Sequence, residues 1–140
     1  MTKLTLEQAR VVLDAALHHA QQLGAAVSVV IVDERGERIT TAKQDEALII
    51  SPGFAEKKAF TAVALGCDTD ASALASDAVN AIRIMVSDPR LCFAAGGSPI
   101  RRAGRIVGAI GVAGGTTETD RACCVAGVAA CTELDTNGGR

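Results

Sequence analysis

Almost all of the aromatic volume that usually fills a protein core is missing from this sequence. The chain of 140 residues has three phenylalanines, no tryptophan and no tyrosine, whereas 26 of its residues are alanine. Hydrophobic residues nevertheless make up 49% and charged residues 21%, which indicates a folded domain rather than a disordered one. We therefore expect a core of small side chains, in which helices approach other elements closely.

Composition also excludes several classes of partner. Lys and Arg number 14 against 16 Asp and Glu, a formal charge of −2, so the charge does not favour a nucleic-acid partner. The apolar runs are far shorter than the roughly 20 residues of a membrane-spanning helix, and the start of the sequence has no apolar signal region. Five cysteines without such a region predict reduced thiols and a cytoplasmic location.

Hydrophobic periodicity and turn residues predict a single α+β domain over residues 1–140, with a core over about 4–134. A capping box opens the first helix at Thr5, and the β-branched run 26–32 predicts a strand buried on both faces. Hairpin-linked strands flanked by helices favour a three-layer α-β-α sandwich, with an antiparallel sheet of about five strands and helices on both faces. In chain order we expect a helix from Thr5 to Gly24, strands 26–32 and 37–42, a helix over 54–65, short helices within 70–86, strands 91–95, 99–102 and 105–112, and a helix over 117–134.

Two glycine pairs mark places where the backbone can approach a ligand closely. Gly96-Gly97 precedes a predicted hairpin, and Gly114-Gly115 joins the last strand to the last helix at Thr116. A strand–Gly-Gly–helix junction presents free N–H groups at a positive helix end. A second capping box, Thr117-x-x-Asp120, is predicted there, although acidic side chains in that first turn would repel an anion. The alternative is that both pairs serve only as tight turns and close-packing points.

Lys58 is the one cation on a mainly apolar helical face that also carries Thr61. A buried ammonium there is suited to acid–base chemistry or to anchoring a carboxylate; alternatively the lysine stem packs and its charge reaches water. Arg101, beside the turn of the last hairpin, is a further candidate to meet a carboxylate, or else a charged tip that protects a sheet edge. We predict one composite pocket near the sheet edge for a carboxylate-bearing ligand, lined by Lys58, Thr61, Gly96, Gly97, Pro99, Arg101, Gly114, Gly115 and Thr116.

The two histidines and five cysteines are the remaining candidate ligands. In phase with the first helix, His18 points almost opposite the apolar face and His19 lies near its border. Either imidazole can ligate a metal or haem iron, but neighbours on a helix point about 100° apart and cannot easily share one ion. Surface histidines are the alternative. The cysteines have no C-x-x-C spacing, so we expect buried thiols facing the sheet rather than a zinc site.

Several segments, in this order and at this spacing, resemble a known family. They are LTLEQA at 4–9, VVIVDxxG at 29–36, AxxKAxTA at 55–62, GGxPI at 96–100, VGAIGVxGG at 107–115 and DxxxxxAG at 120–127. Together they resemble the GlcG/HbpS-like family, which is also described as haem-binding or haem-degrading and as the C-terminal domain of PduO-type proteins. The resemblance covers residues 4 to about 134, and its glycine-rich pieces are the most specific.

The resemblance implies a profilin-like fold, assembly into homo-oligomers and the binding of haem or a related tetrapyrrole. His18 or His19 would then be the ligand of the haem iron. Two alternatives stay open. One is a small enzyme of small-acid catabolism, an isomerase, lyase or hydrolase that uses Lys58, Thr61, Arg101 and the Gly-Gly amides. The other is an assembly module with no ligand of its own. The fold alone does not decide between them, because function resides in the site.

Overall fold

The computed structural model describes residues 3–137 and has the predicted α+β architecture. A single antiparallel sheet lies between helices on both of its faces, as expected for an α-β-α sandwich. No helix within the described residues is both long and apolar enough to cross a bilayer. In chain order the elements are α1 (Leu6–Gln22), β1 (Ser28–Asp33), β2 (Arg38–Lys43), α2 (Ser51–Leu65), a 3₁₀ turn (Ala73–Ala75), α3 (Ala78–Ser87), β3 (Gly97–Arg102), β4 (Arg105–Ala113) and α4 (Thr117–Asn137).

The sheet has four strands in the order β2-β1-β4-β3, rather than the five expected. The segment 91–95, predicted as a strand, is an irregular loop. The N–H of Cys92 donates to the Thr61 hydroxyl of α2 at 2.9 Å instead of to a neighbouring strand. A short apolar run fits a strand or a buried loop equally well by its pattern. Here Cys92, Phe93 and Ala95 are apolar because the loop is buried, not because it joins the sheet.

Local turn and cap signals place most element ends correctly. The Thr5 hydroxyl accepts the Gln8 N–H at 3.1 Å and the Gln8 side chain accepts the Thr5 N–H at 3.0 Å, which confirms the first capping box. Residues Ala103 and Gly104 both have positive φ, 52° and 77°, as a tight turn between β3 and β4 requires.

The second capping box is wrong by one residue. Thr116, not Thr117, caps α4, because its hydroxyl accepts the Thr119 N–H at 3.1 Å. Thr117 is already the first residue of the helix. Asp120 lies one turn further along, where its buried side chain accepts the N–H of Gly115, just before the cap, and also turns into the protein.

Alternate residues of the central strands face two different helical layers. Val29 and Ile31 of β1 face α1 and α4, whereas Val30 and Val32 face α2. All four are buried, so the predicted strand with two buried faces is confirmed. On the α2 side the buried apolar residues of the helix are all alanines, namely Ala55, Ala59 and Ala62, and the half-buried Val63 packs against them.

The α2 helix lies directly on the backbone of β4. A Cβ atom on Gly111 would overlap the Ala55 carbonyl oxygen and would lie 2.6 Å from the Ala59 nitrogen. A Cβ on Gly97 would lie 2.5 Å from the Lys58 carbonyl oxygen. Glycine is therefore required at both positions by the close approach of helix and sheet. This approach is what carries the side chain of Lys58 to the end of β4.

Candidate functional site

A cleft of about 330 Å³ opens where the start of α2, the end of β4 and the start of α4 meet. Its walls are mostly apolar and come from the loop before α2, the first turn of α2 and the loop 92–95. Its polar groups are few, and they include a lysine, an aspartate and the backbone of Gly114-Gly115. An apolar cleft with a few convergent polar groups is the usual form of a small-molecule site.

Lys58 and Asp120 form a buried ion pair at this cleft. The lysine is 5% exposed and the aspartate 4% exposed. The Lys58 ammonium lies 3.2 Å from Asp120 Oδ2, and it donates to the Val112 carbonyl oxygen at 2.9 Å. The ammonium therefore does not extend into bulk water, so the alternative in which the lysine stem packs and its charge reaches water is wrong. A Cβ on Gly96 would lie 3.0 Å from the Lys58 Nζ, so the first glycine pair leaves room for the ammonium.

Asp120 is held on both sides. Its second oxygen, Oδ1, accepts the Gly115 N–H at 3.0 Å, so one carboxylate joins the second glycine pair to the lysine. Burial raises the pKa of the Asp120 carboxyl, and the Lys58 charge and the Gly115 N–H act against this shift. The sequence analysis used Asp120 as a cap, as a group that repels anions and as part of the DxxxxxAG motif, but it assigned this residue no buried partner. The missed signal is its position on a helical stripe with Cys124, Gly127 and Cys131, since an acid among small buried residues needs a buried partner.

The structure brings together some of the predicted pocket residues. Lys58, Gly114 and Gly115 line the cleft. Gly96 lies against the Lys58 ammonium, and Gly97 lies behind the Lys58 backbone. Two glycine pairs from different parts of the chain therefore meet at one lysine, as the prediction required.

Four other predicted pocket residues lie elsewhere. Thr61 is one turn further along α2, where its hydroxyl donates to the Lys57 carbonyl at 2.7 Å and contacts the loop 91–95. Pro99 is buried in the sheet opposite Ala109. Thr116 caps its helix, and Thr117 lines the cleft in its place.

Arg101 is the fourth, and it points away from the cleft. It is exposed and donates to the Gly66 carbonyl oxygen at 2.8 Å. The β3–β4 register shifts between Ile100 and Arg101. Sequence spacing alone does not reveal such an irregularity, which alters the direction of the following side chains.

The apolar rim of the cleft was not predicted. Leu48 is 59% exposed, Ile50 is 58% exposed and Phe54 is 42% exposed, although all three are large apolar residues. Residues 48–50 form an apolar run in a loop just before Pro52, which is a signal that the sequence does contain. Large apolar side chains left in water beside a buried charge pair favour a binding surface.

The histidines lie outside this cleft. His18 is exposed, and the half-buried His19 lines a separate groove of about 500 Å³ between α1 and α4. Arg121, Ala122 and Val125 of α4 also line this groove. The Arg121 guanidinium pairs with the Asp70 carboxylate. Within residues 3–137, no three His, Cys, Asp or Glu side chains come together as a metal site.

The five cysteines are free, and four of them are buried. Burial raises the pKa of the Cys123 thiol to about 11 and also raises the pKa values of Cys124 and Cys131. Inert thiols packed against the sheet are what the sequence predicted for this helix.

Comparison with known proteins identifies the family. The model of the family described as haem degrading protein HbpS-like matches residues 4–129. The corrinoid adenosyltransferase PduO of Salmonella typhimurium is 34% identical over 108 residues, which cover 76% of this chain and 32% of that protein. An uncharacterised 15.0 kDa protein from the dhaT-dhaS intergenic region of Citrobacter freundii is 29% identical over 84% of both chains. The chain therefore spans about a third of the length of the PduO proteins that it matches.

Solved structures share the fold. The PduOC:heme complex has a TM-score of 0.85 and 30% identity, over 92% of this chain and 95% of that chain. A double mutant of HbpS from Streptomyces reticuli has a TM-score of 0.82 and 37% identity, over 92% of this chain and 87% of that chain. These matches confirm both the fold class and the resemblance that the glycine-rich motifs indicated. The chain belongs to the HbpS-like family.

Proposed function

We propose that this protein binds haem or a related tetrapyrrole. The observation that carries the proposal is the likeness to the PduOC:heme complex, which extends over 92% of this chain. The description of the family, a haem degrading protein, supports the same class of ligand. These likenesses support haem binding in general, whereas the residues that would hold the haem must come from this chain.

The groove between α1 and α4 fits a haem better than the cleft does. It contains His19, and a neutral imidazole is a common ligand of haem iron. Ala122 and Val125 offer an apolar wall to a flat macrocycle, and Val125 is 63% exposed. The Arg121 guanidinium is the kind of group that pairs with a propionate, for which it would exchange its present partner, the Asp70 carboxylate, in a groove that Glu118 also lines. His18, the next residue along α1, is the alternative iron ligand.

A bound haem would supply a redox-active iron, and the chain would supply the groove that holds it. His19 or His18 would ligate the iron, Val125 would exclude water from one side of the ring, and Arg121 would orient a propionate. The groove is open to solvent, so a second copy of the chain packed over it would shield the ring. We therefore propose that the protein is a homo-oligomer. Light scattering that returns a 14.3 kDa monomer at micromolar concentration would contradict this part.

A haemin titration followed by absorbance tests the proposal. The parent protein should give a Soret shift that saturates, and the double variant His18→Ala, His19→Ala should lose it while it keeps its fold. The two single variants identify the ligand, and Gln22→Ala, an exposed polar change on the same helix, is the matched control. A double variant with an unchanged spectrum would refute the histidine assignment. No Soret shift in the parent protein would refute haem binding itself.

The enzyme alternative requires Lys58, Thr61 and Arg101 in one place. Only Lys58 lines the cleft, while Thr61 contacts the loop 91–95 and Arg101 binds the Gly66 carbonyl. We therefore propose binding rather than catalysis. The assembly-module alternative predicts that haemin produces no saturable shift, so the same titration tests it.

A further inference from the structure

We propose that the cleft beside Lys58 is a second binding site, and that its ligand is a short-chain monocarboxylate. The cleft lies on a different side of α4 from the histidine groove, because Asp120 lines the cleft whereas Arg121 and Ala122 line the groove. The proposal therefore does not depend on haem binding.

The Lys58 ammonium provides the contact for the ligand's head group. An ammonium has three N–H donors, and among the described residues it meets two acceptors, the Val112 carbonyl and the Asp120 carboxylate. One donor is left for a ligand oxygen. Asp120 has both of its oxygens engaged, by Lys58 and by the Gly115 N–H, so it holds the lysine in place.

The charge of the cleft limits the ligand to one anionic group. Lys58 is the one cation among the described residues that line it, and the Asp120 carboxylate, which also lines the cleft, balances that charge and repels any further anionic group. A dicarboxylate would leave its second charge without a partner in a mostly apolar cleft, at a large desolvation penalty. A single carboxylate needs only the donor that Lys58 retains.

The apolar rim provides the contact for the ligand's tail. Leu48, Ile50 and Phe54 line the cleft and are exposed to water, so an alkyl chain laid against them would remove apolar surface from water. Each buried methylene should tighten binding about three- to fourfold. A cleft of about 330 Å³ is at the small end of ligand pockets, which suits a chain of a few carbons.

A structural role alone does not explain this arrangement. Apolar side chains of similar volume often stabilise a buried site as well as an ion pair does, so the pair is weak evidence for a purely stabilising role. A core would also cover its neighbouring apolar side chains, whereas here they remain open beside the charge pair. Both features are explained if the cleft receives a small amphipathic molecule.

A chain-length series tests the proposal directly. Acetate, propionate and butyrate are titrated at constant ionic strength into the full chain, with butyramide as the neutral analogue, and amide chemical shifts are followed by NMR. Dissociation constants should fall about three- to fourfold per methylene, and butyramide should bind at least about tenfold more weakly than butyrate. Shifts should centre on Ala95, Gly115 and Thr117. Equal binding of the three acids, or of butyramide and butyrate, would overturn the proposal.

Two variants separate the head-group contact from the tail contact. Phe54→Ala removes part of the exposed rim and should weaken butyrate more than acetate. The double variant Lys58→Met, Asp120→Asn removes both charges of the buried pair and keeps an acceptor for the Gly115 N–H. It should lose the preference for butyrate over butyramide. If the double variant does not fold, the chain-length dependence in Phe54→Ala still decides. The His18→Ala, His19→Ala protein should bind butyrate normally, so failure of the haem proposal would not be mistaken for failure of this one.

Discussion

The face of the sheet that α1 and α4 cover differs from the face that α2 covers in the size of its side chains. The first face is packed with branched residues and thiols, among them Val12, Ile31, Ile110 and Cys123. The buried apolar residues of the second face are two valines and five alanines, and Gly111 lies against the backbone of α2. Side chains separate helix and sheet on one face, whereas backbones touch on the other.

This difference explains where the charge pair lies. Because α2 rests on β4 with almost no side chain between them, Lys58 reaches the Val112 carbonyl at the end of the strand. A helix that side chains hold away from the sheet, as on the other face, would leave a gap between such a lysine and the carbonyl oxygen. The small residues that the composition revealed therefore do more than fill a core, since they let the Lys58 side chain reach the end of β4.

The largest effect is expected where the backbones touch. Gly111→Ala places a Cβ against the Ala55 carbonyl oxygen, so α2 must move, and we expect a loss of more than about 4 kcal/mol in the free energy of unfolding. Gly127→Ala is the comparison on the other face, where the new Cβ would lie 2.8 Å from the Ile110 Cδ1, 3.1 Å from the Val12 Cγ1 and 3.2 Å from the Val12 carbonyl oxygen. The end of the Ile110 side chain can move and the backbone contact is far less tight than at Gly111, so we expect a smaller loss of about 1–2 kcal/mol. Equal losses in denaturant unfolding would refute the difference between the faces.

Breaking the buried charge pair comes next. Lys58→Met leaves the Asp120 carboxylate buried with only the Gly115 N–H, so we expect a loss of about 3 kcal/mol in the free energy of unfolding. The Lys58→Met, Asp120→Asn double variant should regain most of this loss, because no charge is left unpaired. A double-mutant cycle measures how much of the free energy of unfolding the second change restores. A single variant as stable as the parent protein would show that the pair is not buried in solution.

The thiols of the α1–α4 face predict a loss of stability in alkali. Burial raises the Cys123 pKa from 9.0 to about 11, so above pH 9 the unfolded chain releases its proton while the folded protein retains it. The free energy of unfolding should fall by about 2–3 kcal/mol between pH 9 and about 11 because of this residue. The free energy of unfolding of Cys123→Ala should fall less above pH 9 than that of the parent protein. Cys67→Ala, at a half-buried site, should lose as much as the parent protein. Identical pH profiles for the parent and Cys123→Ala would contradict the assignment.

The smallest effect is expected where α2 faces away from the sheet. A Cβ on Gly53, in the first turn of α2, meets nothing within 4 Å. Gly53→Ala should therefore raise the free energy of unfolding by about 0.5–1 kcal/mol, because alanine loses less backbone entropy on folding. Thermal unfolding of Gly53→Ala and of the parent protein measures this gain in stability. A lower melting temperature would show that glycine is needed at this end of the helix for another reason.

Much of the fold could be predicted because its signals are local. The Thr5 capping box and the Ala103-Gly104 turn each depend on a few neighbouring residues, and both appear as expected. The prediction of a strand over 91–95 was wrong because burial alone makes a segment apolar, whether or not it pairs with a strand. Strand pairing is a long-range property that a short apolar run does not encode.

Some of the residues predicted to share one pocket do lie together and others do not, for the same reason. The glycine pairs and Lys58 are recognisable along the chain and do meet. Arg101 was placed wrongly because the register shift before it depends on how β3 pairs with β4. Asp120 was missed as the partner of Lys58 because the pair joins α2 to α4, and only the packing of those helices brings the two charges together.

The strand order has a consequence for how the chain acquires its structure during synthesis. β1 lies at the centre of the sheet, between β2, which follows it directly, and β4, whose Ala113 pairs with Ser28. The chain that connects β1 to β4 is long, so bringing the two strands together costs conformational entropy before they form any stabilising contact. This cost slows folding. On the ribosome, α1, β1, β2 and α2 all emerge before β4 and α4 exist, so one edge of β1 stays unpaired and Val29 and Ile31 lack the part of their cover that α4 provides. Folding of this domain therefore waits for β4 and α4, and its first half is the part most exposed to aggregation before they are made.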